Sequence, residues 1–293
     1  RVFSAVWAPD KTPRGDTLKE EYLGLLSVAC ADGILRIFVC PSESVVPLST
    51  DKQVMETKPM FVAHLEDSII TCSAWHPKDN RVILCGLTDG GCIIFQLPNE
   101  VAHASSNTQL DASISLQPWL RYCTNMLSSA SNQGSHSMRA VSWCPSEPHF
   151  FASCGYNEQL CLWDSRDTNS GRSLMINSKA RTGTAIAWDP FGNGIMFTQM
   201  DSPYFFFRPM TRSALPLWKA LSMPQFAPQH AAWSLDVKLV DKYAVVVAAT
   251  PDAEVALMAY SDRHFVKYSA KNSVSMKDVG YDQSRPSVIP VRL

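Results

Sequence analysis

Five tryptophans, Trp7, Trp75, Trp143, Trp188 and Trp233, stand 68, 68, 45 and 45 residues apart, and the first four are followed two positions later by proline. Each copy then runs through an apolar stretch to a turn residue (Asp32, Asp89, Asn157, Asp201 or Asp252) and, six residues further, to a large apolar side chain. That last column reads Phe38, Phe95, Trp163, Phe207 and Met258. Repetition of this kind constrains the fold more than composition does. A unit of about 45 residues with apolar strands around a tight turn cannot bury its faces alone, so copies stack, which is the signature of a β-propeller array. The expected architecture is all-β: five recognisable blades, belonging to a six- or seven-bladed ring.

Arg139 to Asp164 is the cleanest copy and reads as three strands. Ala140 to Trp143 alternates with period two, Cys144 to Glu147 turns the chain with its proline, and Phe150 to Cys154 is an inner, nearly all-apolar strand. Gly155, Tyr156 and Asn157 form the hairpin tip, because Asn tolerates the positive φ of such turns, and Leu160 to Trp163 returns. The earlier copies place Asp89-Gly90-Gly91 and Asp32-Gly33 at the same corner. The tryptophans are expected to fill the wedge between neighbouring blades, where each ring buries an area worth a few kcal/mol. Proline two residues on ends the strand, having no N–H for the ladder.

The 68-residue spacings are the shorter period plus inserts. Inserts occupy Asp10 to Glu21, Ser42 to Pro59 and Pro98 to Ser137. Within the last, Ser115 to Tyr122 reads as the outer strand of its blade and Leu127 to Ser137 as a mobile polar loop. A further insert, Pro209 to His230, holds four prolines together with Trp218 and Phe226. Two readings fit it: a partner-binding segment, or a loop packed on its own blade. With 46% hydrophobic residues over 293 positions, a single propeller domain spanning 1–293 is expected. Arg1 to Trp7 already matches the middle of a repeat, so a domain incomplete at its N-terminus is the expectation, and its start says nothing of targeting segments.

The chemistry-bearing motifs are sparse. Nine cysteines, an odd number with no C-x-x-C, read as reduced core thiols. Cys30, Cys85, Cys92, Cys154 and Cys161 fall in strand runs. There is no N-x-S/T sequon, and no apolar run approaches the ~20 residues of a membrane span. G-x-S-x-G, H-E-x-x-H, Walker and G-x-G-x-x-G motifs are absent, so no catalytic, cofactor or metal residue is assigned. Asp32, Asp89, Asp201 and Asp252 are a conceivable carboxylate ring for a metal, but turn formation explains them. His64 and His136 precede Trp75 and Trp143 where a blade holds a buried, hydrogen-bonding histidine.

Net charge is −1, with 9 basic and 13 acidic residues in 1–100 against 11 and 7 in 204–293. A chain so close to neutral lacks the field for strong nucleic-acid binding, so contact with DNA is expected to be indirect. Two basic groups stand out: Arg166, Arg172, Lys179 and Arg181 around a polar loop, and Arg263, Lys267, Lys271 and Lys277 after the last copy. Either is a solvated loop or a phosphate contact, and Arg166, Arg172 and Arg181 join Trp218 and Phe226 as candidate partner-binding residues.

On RAVSWCPSEPHFFASCGYNEQLCLWDSRD, GTAIAWDPFGNGIMFTQMDSPY, HAAWSLD and SLQPWLRYC, the chain resembles the WD40-repeat polypeptide 2 family of RNA polymerase III transcription factor IIIC. The resemblance runs from about Val62 to Tyr260. The Gly-His pair of regular WD40 repeats is replaced by Ala63-His64 and Ser135-His136, and only the third copy closes on Trp-Asp. The resemblance implies a nuclear, non-enzymatic scaffold that joins other factor IIIC subunits, helps recruit the polymerase III machinery, and supports transcription of transfer-RNA and 5S-type genes. It implies no cofactor, no small-molecule substrate and no membrane. A cytoplasmic WD40 adaptor in a ubiquitin-ligase or trafficking complex is the alternative, and a propeller enzyme the third reading, since propellers host all three.

Overall fold

The structure, a computed structural model, describes residues 2–9, 22–41, 58–98, 114–122, 137–156, 160–167, 174–177, 183–190, 194–199, 204–209, 219–222, 234–240, 243–249, 255–261 and 264–269. Among the described residues every regular element is a β-strand, and the strands form five sheets in chain order. The first sheet contains β1 (Val2–Trp7), β2 (Tyr22–Cys30), β3 (Ile34–Pro41) and β4 (Phe61–His64), each antiparallel to the next. β5 (Ile70–His76), β6 (Asp79–Leu87) and β7 (Cys92–Gln96) begin the second.

The next stretch departs from the sequence reading. Ser115 to Tyr122, expected as one outer strand, is divided into β8 (Ile114–Ser115) and β9 (Pro118–Tyr122). β8 runs parallel to β4 on the first sheet, whereas β9 is the outer strand of the second. The backbone N–H groups of Ile114 and Leu116 donate to the carbonyls of Met60 and Val62, at 2.9 and 2.8 Å. Pro118, with no N–H, cannot continue that ladder, and the chain crosses to the neighbouring sheet there. The result is a strap over the outer rims of two sheets, with Leu116 buried between them.

The remaining three sheets are simple four-stranded meanders. They are β10 (Met138–Trp143), β11 (Phe150–Gly155), β12 (Leu160–Asp164) and β13 (Leu174–Asn177); β14 (Gly183–Trp188), β15 (Gly194–Gln199), β16 (Tyr204–Pro209) and β17 (Lys219–Ser222); and β18 (Ser234–Val240), β19 (Tyr243–Ala249), β20 (Val255–Ser261) and β21 (His264–Ser269). β1, β5, β10, β14 and β18 are successive neighbours along one side of the array.

The hydrophobic core lies between sheets. One apolar cluster joins the first and second, a second the second and third, and a third the third and fourth. Strand alternation explains the division, because odd and even positions point to opposite neighbours. Leu35 and Ile37 of β3 face the second sheet, which returns Trp75, Ile83 and Phe95. Leu84, Cys92 and Ile94 face the third, which returns Trp143, Phe151 and Trp163.

Each tryptophan thus opens a row across its sheet. Trp75 pairs with Ile83 and Ile83 with Phe95; Trp143 pairs with Phe151 and Phe151 with Trp163. In the first sheet the same row is Trp7, Leu26 and Phe38. The fourth sheet breaks the pattern. Trp188 pairs with Ile195, and Ile195 with Arg208, so Phe207 sits opposite Met196 and one position out of the row. The second strand's row residue reaches the third strand's after twelve positions in the first three sheets and thirteen in the fourth.

The fifth copy departs further. β18 ends at Val240, whereas β1, β10 and β14 end on the tryptophans Trp7, Trp143 and Trp188. Trp233 itself lies outside the described residues, and Met258 pairs with Val246 in the middle of the fifth sheet.

Candidate interaction surface

Three indoles connect the sheets by one rule. Trp75 Nε1–H donates to the Val6 carbonyl at 2.9 Å, Trp143 to Ala74 at 3.2 Å, and Trp188 to Ser142 at 3.0 Å. In every case the acceptor is the residue immediately before the preceding sheet's tryptophan. All three rings are buried, and a buried N–H without a partner would be costly, so ring and hydrogen bond favour the same docking geometry. Trp163 differs. Its Nε1–H donates within its own sheet to Ser153 Oγ, at 2.9 Å, and its ring stacks on Phe151 at 5.9 Å.

Polar groups reinforce the joint between the second and third sheets. Thr71 Oγ1 donates to the Met138 carbonyl at 2.7 Å, and Tyr122 Oη donates to the Ser165 carbonyl at 3.1 Å. Burial pushes the Tyr122 phenol up to about 12, which keeps it a donor. His76 closes the same joint. Its ring lies edge-on to Trp143 at 4.9 Å, its Nε2 is 3.0 Å from the Pro148 carbonyl, and its Nδ1 accepts the Lys78 N–H at 3.2 Å. Those two bonds require the neutral tautomer with hydrogen on Nε2, and burial lowers the imidazole pKa in the same sense.

The sequence-marked residues divide into several groups. Asp32 and Asp89 sit at the corners, where Oδ1 accepts the N–H two residues on, from Ile34 at 3.1 Å and Gly91 at 2.8 Å. Gly33 and Gly90 beside them have φ of 81° and 85°, which side-chain-bearing residues rarely adopt. The second carboxylate oxygens pair with Arg36 and Arg121, both at 2.6 Å. The Arg36 hydrogen bond holds the Asp32 carboxyl down, at about 2. Among the described residues no group of three His, Cys, Asp or Glu is placed to hold a metal.

Arg166 is exposed and chelated by Asp164 at 2.6 Å, with its guanidinium 5.8 Å from the Phe150 ring centre. Arg172, Lys179, Arg181, Trp218, Phe226, Asn157, Asp201, Asp252, His136, Arg263, Lys271 and Lys277 lie outside the described residues. Lys267 falls in β21. His64, expected as a buried hydrogen-bonding residue, is exposed at the end of β4. It pairs with Ile34 on the face turned away from the second sheet, so alternation carries it outward. Phe38, expected among the aromatic core residues, is half-buried for the same reason. Cys85, Cys92, Cys154 and Cys161 are buried and in no disulfide, burial raises the thiol pKa of Cys85, Cys92 and Cys154, and Cys30 is half-buried.

Sequence reasoning missed His76, Thr71 and the exposed Trp119, which is 55% accessible on the outer strand β9. His76 follows the repeat tryptophan directly, where the other copies carry Ala8, Cys144, Asp189 and Ser234, so no column marks it.

One stretch of the array matches a known repeat. The WD40 family, described as WD domain, G-beta repeat, matches residues 124–164. The chain is also 24% identical over 212 residues, 67% of its length, to General transcription factor 3C polypeptide 2 of Pongo abelii, and to the same extent to that of Homo sapiens. The match takes in 22% of either relative, so the chain spans about a fifth of their length. The chain thus carries a WD40 repeat within an all-β array, and its similarity to that transcription-factor polypeptide extends well beyond the matched repeat.

Proposed function

We propose that this chain is a non-enzymatic scaffold region of the RNA polymerase III general transcription factor IIIC, acting in the nucleus in transcription of transfer-RNA and 5S ribosomal RNA genes. The five sheets belong to a six- or seven-bladed propeller that holds other factor IIIC subunits and, through them, the polymerase III machinery. The observation that carries this reading is the similarity to General transcription factor 3C polypeptide 2 across 67% of the chain, far more than one generic repeat requires. A rigid array with side-to-side indole bonds suits a platform, since its sheets hold loops in fixed relation while the loops contact partners.

The electrostatics agree with indirect contact to DNA. Net charge is −1, and Arg36, Arg121 and Arg166 are each tied to a carboxylate. Arg166, Arg172, Arg181, Trp218 and Phe226 are proposed partner contacts. The test is affinity purification of the tagged, full-length protein from nuclear and cytoplasmic extracts. Recovery with other factor IIIC subunits is the expected result; recovery only with ubiquitin-ligase or vesicle-coat subunits would establish the adaptor reading instead.

A further inference from the structure

The edge of the first sheet's fourth strand is occupied by a different kind of pairing. Among the described residues β4 and β8 form the one parallel pair, whereas every other strand pairing is antiparallel. β8 is a two-residue strand laid on β4 as the fifth of its sheet, while each of the other sheets has four. The Ile114 N–H donates to the Met60 carbonyl and the Leu116 N–H to the Val62 carbonyl, at 2.9 and 2.8 Å. Leu116, buried with Phe61 and Leu97, and the half-buried Ile114 pack on the core between the first two sheets; Ser115 between them is exposed. A short extended segment that takes backbone bonds from a sheet edge and sends alternate apolar side chains inward binds as a peptide does in strand addition.

The two halves of the strap are anchored unequally. β9 runs for five residues along β7, its buried Tyr122 donates to the Ser165 carbonyl, and its Arg121 pairs with Asp89 at 2.6 Å. β8 is held by Leu116 and by a short parallel ladder, the less stable kind. Release of β8 while β9 stays seated is therefore the low-cost motion of this rim. Just past the crossing, β9 is bulged: Leu120 stands opposite Ile94 and Pro118 opposite Phe95, so no residue of β7 faces Trp119. Bulges re-aim side chains, and the Trp119 ring is 55% accessible. An exposed indole beside a replaceable strand is the kind of anchor that dominates binding energy at an interface.

We infer that the β4 edge is a strand-acceptor site, closed in this structure by Ile114-Ser115-Leu116, and that an extended segment of a partner polypeptide takes the place of β8. The occupant already present states the chemistry: the segment runs parallel to β4, bonds to the Met60 and Val62 carbonyls, and carries two large aliphatic side chains at alternate positions, with its flank against Trp119. β8 is tied to β9 through Leu116 and Gln117 alone, and so short a tether gives it a high effective concentration against any competitor. The chain's own strap thus acts as the gate on the site. The inference deepens the scaffold reading and rests on its polypeptide partner, not on factor IIIC as the complex.

The experiment uses the full-length protein and, as probe, a synthetic peptide copying Asp111 to Gln117 with photoreactive leucine in place of Leu116. In a Leu116→Ser protein the strap no longer fills the joint. On irradiation the peptide should cross-link to the segments that hold Phe61 and Leu97, with about tenfold the yield given by the unaltered protein. Equal yields, cross-links elsewhere, or none would overturn the inference. Adding Trp119→Ser should lower the yield severalfold, and an unchanged yield would remove Trp119 from the site. Amide hydrogen exchange on the unaltered protein guards against a misfolded variant. The Ile114 and Leu116 N–H groups should exchange at least about tenfold faster than the most protected amides of β9; equal protection would contradict a detachable β8. None of these readouts involves factor IIIC subunits, so co-purification can fail while the edge binds its peptide, and the reverse.

Discussion

The joint between the second and third sheets and the outer face of the first begin from the same sequence pattern, a tryptophan at the end of a first strand with two large apolar residues across from it. In the joint, the row Trp143–Phe151–Trp163 meets Tyr122 and His76, an indole N–H finds the Ala74 carbonyl, and Thr71 reaches Met138. On the outer face the row Trp7–Leu26–Phe38 stays half-buried and its indole lacks an acceptor among the described residues. The comparison teaches that the repeat encodes a docking face and that burial depends on the neighbour. A buried indole stabilises through the water its ring displaces and the carbonyl its N–H meets, so identical columns contribute unequally at the two places.

The largest effect that sharpens this contrast is truncation of the two indoles in the 293-residue chain. Trp143→Ala removes a buried ring and leaves the Ala74 carbonyl without its donor, at a cost of roughly 3–5 kcal/mol. Trp7→Ala should cost less than half as much, because its ring is already partly in water. Thermal unfolding followed by circular dichroism checks both, and equal shifts would erase the distinction.

Next comes Gly86, in the same sealed joint. A Cβ there would lie 2.6 Å from Cys72 Sγ and 2.8 Å from Met138 Cβ. Gly86→Ala therefore pushes the two sheets apart, and overpacking of this kind costs about 1–3 kcal/mol. A denaturant titration showing no loss would mean that the joint is looser than described.

A smaller effect is pH-dependent and belongs to His76. Its folded pKa is lowered by burial, so the unfolded chain binds the proton more readily. Stability from this group is complete above the unfolded value of about 6.5 and falls as pH drops from there through the folded value. Protonation at Nδ1 would end acceptance of the Lys78 N–H. Tm measured between pH 7.5 and 5 should decline, and His76→Phe should flatten that decline.

Smallest of all is the corner pair Asp32–Arg36. The Asp32 carboxyl is held at about 2, so its contribution is present above the ordinary carboxylate value and is lost as pH falls through about 2. The pair is solvent-exposed, and Asp32→Asn at neutral pH should move Tm by about a degree or less.

The features legible in the sequence are those set within one hairpin. The Trp-to-proline strand ends, the Asp-Gly corners and the Phe95 and Trp163 positions all follow from local spacing. Features that depend on partners far along the chain were not legible. His76 and Pro148 are 72 residues apart, Thr71 and Met138 67, with inserts between them of unpredictable length. The register shift was equally invisible: one added residue between Ile195 and Arg208 sets Phe207 opposite Met196. The strap at 114–122 eluded the reading because β8 and β9 serve different sheets. As for the interaction surface, the family resemblance implied a scaffold and the near-neutral charge indirect contact with DNA, but the face that lacks a neighbour among the described residues emerges only when all the rows are compared.

Trp75, Trp143 and Trp188 each fasten their sheet to the one before it through the indole N–H. Hydrogen exchange of assigned indole N–H groups, measured by NMR on the 293-residue chain, tests this most directly. The account predicts slow exchange at Trp75, Trp143 and Trp188 and fast exchange at Trp7. Fast exchange at the first three, or protection of Trp7 equal to theirs, would contradict it.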